Sequence, residues 1–212
     1  MIFKKKHTPG KPFLICMLLF ICIETAFNLI FNHIARSLLF IIFLRFFEII
    51  IIISIFKFSN TALSHIGLST NNLFQGFKKG IIWSVYFGTI ILIIFSILSV
   101  FLKNPAHLIK IKLPYNTNEI VLFFIAGGII GPIAEEMFFR GVIFGYIRQF
   151  GFASAILIST FLFTIIHEAP GFIQITGGII FAISYEKEKS LLTPITIHII
   201  GNLSIFYLSF IM

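Results

Sequence analysis

The sequence contains no aspartate, and all eight acidic residues are glutamate. Charge of either sign is scarce: Asp, Glu, Lys and Arg together make up 11% of the chain, against roughly 25% in soluble domains. Only two cysteines occur, Cys16 and Cys22, six residues apart in one apolar run. On a helix they point in different directions and cannot bridge each other, so no disulfide framework exists. The glycines follow no period of three, which excludes a collagen-like rod, and the hydrophobicity excludes a disordered chain. What fills the sequence is apolar: 58% of its 212 residues are hydrophobic, 29 of them Phe, and the mean hydropathy is +1.05. A water-soluble domain of this size cannot hide so much apolar surface. The expected fold class is therefore all-α, a polytopic transmembrane helical bundle in the cell membrane.

The net charge of +8 comes in short basic clusters between apolar runs. That is the pattern of loops touching anionic lipid headgroups, so the partner is the lipid bilayer and no nucleic acid. About seven spans are expected. The first covers residues 13–31, read as an uncleaved anchor, the second 34–56 and the third 80–102, with an interfacial loop over 57–79. Asn118 before Glu119 starts a fourth helix that runs to about Arg148 and is kinked, not ended, by Pro132. A fifth spans 152–167, and Pro170 and Gly171 mark a turn. A sixth runs to Tyr185, residues 186–190 form a charged loop, and 191–212 make the seventh. The Phe abundance is expected to face lipid, and Gly127, Gly128, Gly131, Gly141 and Gly145 to permit close helix packing. Residues 1–118 thus form an N-terminal set of three spans and 119–212 a core of four.

Basic residues on alternate sides set the orientation. With the N-terminus inside, Lys4, Lys5, Lys6, Lys11, Lys57, Lys78, Lys79, Arg148, Lys187 and Lys189 are cytoplasmic, against Arg36, Lys103, Lys110 and Lys112 outside. A cytoplasmic N-terminus follows.

The residues that lipid excludes carry the chemistry. Glu135, Glu136 and Arg140 lie within an apolar helix, where each charged group costs roughly 2.5–3.5 kcal/mol to insert. Glu136 and Arg140, four apart, share a face and pair, while Glu135 is rotated away and stays available. Phe163 with His167, and His198 with Asn202, repeat the same spacing on two later spans. Glu135 and His167 lie roughly 21 and 24 Å above the turn at 149–151 at 1.5 Å per residue, and His198 roughly 12–15 Å above the last inner loop, so a shared pocket is feasible. A water held between a carboxylate and an imidazole can be deprotonated as it attacks a carbonyl, while a second His and an Asn amide offer donors to the oxyanion. This inventory fits peptide-bond hydrolysis. Glu24, Arg45 and Glu48, by contrast, are expected to pair between the first two spans. Glu168 is expected in a loop, as are His33, His65 and His107.

These residues resemble the three motifs of the CPBP (Abi) family of intramembrane proteases, which includes the type II CAAX prenyl endopeptidases. The motifs are Glu-Glu-x-x-x-Arg at Glu135, Glu136 and Arg140 with Gly141 following, Phe-x-x-x-His at Phe163 and His167, and His-x-x-x-Asn at His198 and Asn202. The resemblance covers about residues 119–206 and extends to a glycine-bearing sixth helix with Gly177, Gly178 and Ala182. It implies an intramembrane endopeptidase acting on a membrane-associated, lipidated or precursor protein. Glu135 would activate water with help from His167, His198 and Asn202 would hold the oxyanion, and Glu136 with Arg140 would organise the site. Such a mechanism requires no cofactor. Glu and His are also adequate ligands for a divalent metal such as zinc, which stays open, although no His-Glu-x-x-His helix or thiolate accompanies them. The alternative is a non-catalytic membrane regulator or scaffold of the same fold. A transporter using the ionisable cluster as a proton path is more distant. Orientation and depth together put the pocket in the outer half of the membrane, at odds with a cytoplasmic CAAX tail as substrate.

Overall fold

A computed structural model describes residues 7–31, 37–102, 105–167 and 171–212. Lys4, Lys5, Lys6, Arg36, His33, Lys103, Glu168 and Pro170 lie outside the described residues, as does the side chain of His107.

Among the described residues seven helices follow in the expected order. They are α1 Gly10–Phe31, α2 Leu38–Phe58, α3 Leu73–Phe101, α4 Thr117–Phe150, α5 Phe152–Ile165, α6 Phe172–Glu188 and α7 Leu192–Ile211. Five of them, α1 to α4 and α7, are long and apolar enough to cross a membrane. At 14 and 17 residues, α5 and α6 are shorter than the roughly 20 residues a full crossing needs. The chain is a multi-pass helical membrane protein.

Several boundaries move. The expected loop over 57–79 holds 3-10 turns at Leu63–Ile66 and Thr70–Asn72, and α3 starts already at Leu73. Gly76 and Gly80 explain the extra turns, because they let α3 lie directly on α7: a Cβ at Gly80 would stand 2.4 Å from Thr196 Cβ. The charged stretch after Tyr185 stays helical to Glu188, where Trp83 Nε1 donates to Glu188 at 3.1 Å and Arg148 grips Glu186 with two bonds of 3.0 Å. At the start of α4 the capping residue is Asn116, two positions earlier than expected, its Oδ1 accepting from Asn118 N–H.

Helix α4 is the centre of the molecule. It continues through Pro132, with two π-helical stretches, Ala126–Ile130 and Met137–Phe144, on either side of the ordinary α-helical turn Gly131–Glu136. Ten consecutive residues from Glu136 to Gly145 are buried. Such all-round burial is what an internal helix requires, and α1, α2, α5, α6 and α7 surround it. After it, Gly151 at φ +127° turns the chain into α5. This is backbone that side-chain-bearing residues rarely adopt.

The phenylalanines divide into two groups, which corrects the expectation that they face lipid. Leu, Ile and Phe on the outer faces of α1 to α3 are exposed, as lipid contact demands, but Phe56, Phe138, Phe139, Phe144, Phe163 and Phe181 are buried. Phe138 stacks on Phe20 of α1 at 3.8 Å, and Phe139, Phe163 and Phe181 meet edge to face. Between α1 and α2 the expected pairing is present: Arg45 donates to Glu24 and to Glu48, both at 2.7 Å. Cys16 and Cys22 are free thiols.

Candidate active site

The i, i+4 spacing of Glu136 and Arg140 delivers the pair that the sequence implies. Arg140 Nη1 donates to Glu136 Oε1 at 3.0 Å, and both side chains are fully buried. An isolated charge there would be untenable, so the surroundings matter. Arg140 Nη2 donates to Gly178 O at 3.2 Å, and the guanidinium lies 4.5 Å from the Phe163 ring centre and 5.1 Å from that of Phe181. Aromatic faces stabilise a desolvated cation by roughly 2 kcal/mol or more. Gly178 lets α6 lie close against α5: a Cβ there would stand 2.8 Å from Thr160 Cγ2.

Glu136 Oε1 accepts a second bond, from His198 Nδ1 at 3.0 Å. Stacking on Phe181, with ring centres 4.6 Å apart and planes 22° apart, holds the His198 ring. With Nδ1 committed as the donor, Nε2 is the free nitrogen, and it points at Glu135 Oε2, 3.8 Å away. His167 is built the same way. It lies two residues beyond the end of α5, where Nδ1 donates to Phe163 O at 2.7 Å and Nε2 stands 4.0 Å from Glu135 Oε2. Two imidazoles fixed in the same tautomer therefore converge on one carboxylate oxygen. That oxygen is buried and has no hydrogen-bond partner. Gaps of 3.8 and 4.0 Å are too long for direct hydrogen bonds.

Five of the six residues singled out in the sequence thus meet at one point. Asn202 shares a face with His198, but its Nδ2 donates to Gly127 O at 2.8 Å, which leaves one amide N–H for other use. Sequence reasoning missed Phe139 and Phe181, which with Phe163 enclose Arg140. Only Gly177, Gly178 and Ala182 marked that part of α6. Glu and His suit zinc chemically, yet among the described residues no group of three or more His, Cys, Asp or Glu side chains is arranged to hold a metal ion.

Comparison with known proteins points the same way. Residues 117–204 match the family model of the type II CAAX prenyl endopeptidase Rce1-like proteins. Over 100 residues the chain is 35% identical to the membrane-embedded CAAX protease MroQ of Staphylococcus aureus (strain USA300), covering 43% of this chain and 40% of that protein. Over 84 residues it is 37% identical to a Bacillus subtilis (strain 168) protein named "Putative membrane peptidase YdiL", covering 38% and 34%. The alignments thus span well under half the length of these relatives. No solved structure matches. The three motifs lie in order within residues 117–204, the segment that is similar to the Rce1-like type II CAAX prenyl endopeptidases.

Proposed function

We propose that this protein is an intramembrane endopeptidase that hydrolyses a peptide bond in a membrane-associated, lipidated or precursor protein. The observation that carries the reading is the unpartnered Glu135 Oε2 facing two histidine Nε2 atoms at 3.8 and 4.0 Å. A water held there donates one hydrogen to Glu135 and the other to His167 Nε2, which aims its oxygen lone pair at a substrate carbonyl. Attack forms the C–O bond as the proton passes to Glu135. The free N–H of Asn202 donates to the oxyanion beside the His198 ring. Collapse breaks the C–N bond, and the proton on Glu135 leaves with the amine. Glu136 and Arg140 hold His198 in place and do not touch the substrate.

The catalytic core in this reading is 119–212, with the three spans of 1–118 packed around it. Ten basic residues on one side against four on the other favour a cytoplasmic N-terminus. The pocket then opens in the outer half of the membrane, which favours exported peptides or anchored proteins over cytoplasmic CAAX tails as substrates.

The test compares membrane-protein terminal peptides, by mass spectrometry, from cells carrying wild type, Glu135→Gln and His198→Ala at equal expression. Cleavage products found only with wild type would support the reading and name the substrate. Removal of a general base typically costs 10²- to 10⁴-fold, and Glu135, one-fifth exposed, should be replaceable without unfolding. Identical peptide sets in all three strains would sink the proposal and leave a non-catalytic regulator.

A further inference from the structure

Glu135 and Glu136 ride on six residues of ordinary α-helix, Gly131–Glu136, with a π-helical stretch on each side. Where i→i+5 bonding returns to i→i+4, the register slips and one carbonyl is passed over without an intrahelical donor. In the first stretch the last long bond runs from Gly131 N–H to Ala126 O, and the next residue, Pro132, has no N–H, so Gly127 O is left without an intrahelical donor. In the second it runs from Gly145 N–H to Arg140 O, so it is that of Gly141. Each of the two is taken by a side chain from far away in the sequence. Asn202 Nδ2 donates to Gly127 O at 2.8 Å, and Thr8 Oγ1 donates to Gly141 O at 2.8 Å.

The segment bearing Thr8 is built in. Thr8 is buried, and its N–H also donates to Gly145 O at 3.2 Å. His65 Nδ1 donates to His7 O at 2.8 Å, and Phe13 stacks on Tyr146 at 3.9 Å. Gly145 makes room for the hydroxyl: a Cβ there would lie 2.5 Å from Thr8 Oγ1.

We propose that Thr8 is a positioning residue for the active site, the counterpart on one side of Glu135–Glu136 of what Asn202 is on the other. By occupying Gly141 O it holds the π register of 137–144. That register turns Arg140 toward Gly178 and Glu136 toward His198, while the residues beyond face the N-terminal segment and α6. A return to uniform α-helix would rotate the two halves of α4 relative to each other by about 100°, one residue's worth of turn. Thr8 lies outside the family-matched segment 117–204. Only the kinetic arm of the test rests on the proteolytic reading.

The test uses the full chain in detergent. Thr8→Val removes the donor at constant shape, and Thr8→Ser keeps it. Hydrogen exchange is followed in peptides covering 137–146 and 192–211, and turnover is measured on a synthetic peptide spanning a Glu135-dependent cleavage site. For Thr8→Val, exchange in 137–146 should rise about tenfold with 192–211 unchanged, and kcat should fall about tenfold at constant KM. Thr8→Ser should restore both. Should Thr8→Val fail to fold, Gly145→Ala, which displaces the hydroxyl, is read for the same changes. Unaltered exchange in 137–146, equal impairment of the Val and Ser variants, or faster exchange with unaltered kcat would each overturn the proposal. If wild type yields no Glu135-dependent products, the proteolytic reading fails by itself, and the exchange arm still decides whether Thr8 holds the π turn.

Discussion

Replacing Arg140 by Met removes the cation from a pair that is fully buried on both sides. Glu136 would keep His198 Nδ1 at 3.0 Å on Oε1, but Oε2 already lacks a partner, so its charge would be left largely uncompensated in a dry interior. Breaking one side of such a pair costs about 3–5 kcal/mol, because the surviving ion keeps its desolvation penalty and loses the attraction that offset it. In a chain of this size that corresponds to a fall in melting temperature of roughly 6–20 °C. Removing both charges with Glu136→Gln and Arg140→Met together should recover most of the loss, since an uncharged pair of similar volume carries no such penalty. Unfolding can be followed in detergent with a thiol-reactive fluorogenic dye, because Cys16 is buried; Cys22 is exposed and is first replaced by Ser. Additive losses in the double variant, or an Arg140→Met protein as stable as wild type, would refute the reasoning.

The same dye assay checks the contact between α3 and α7. Gly80→Ala puts a methyl 2.4 Å from Thr196 Cβ and 3.0 Å from Thr193 O, and should destabilise by about 1–3 kcal/mol. Gly88→Ala on the same helix meets nothing within 4 Å and should be neutral or stabilise by up to about 1 kcal/mol; equal effects of the two would contradict the packing. Orientation is checked by Tyr115→Cys in a background lacking Cys16 and Cys22, since Tyr115 is exposed in the connection before α4. An impermeant thiol reagent should label it from outside intact cells, and labelling only from the cytoplasmic side would reverse the orientation.

Much of this protein was legible in its sequence, because the readable features are local. Apolar runs bounded by Lys, Asn, Pro and Gly mark helices, and an i, i+4 spacing puts two side chains on one face whatever surrounds them. So the order of helices, the Glu136–Arg140 pair, the pairing of Arg45 with Glu24 and Glu48, and the approach of Glu135 to His167 and His198 could all be expected. Helix ends were less legible: α3 extends back to Leu73 because Gly76 and Gly80 can lie against α7, a fact about another helix. The buried phenylalanines could not be told from lipid-facing ones, since lipid and core are equally apolar and composition does not separate them.

What only the tertiary structure decided is the register of α4 around its two acids. An i→i+5 turn leaves a carbonyl without a donor inside its own helix. It therefore persists only where another element supplies that donor. Asn202 and Thr8 supply it from 75 and 133 residues away. The sequence by itself set which side chains could form the site, and long-range hydrogen bonds to skipped carbonyls set the direction in which they point.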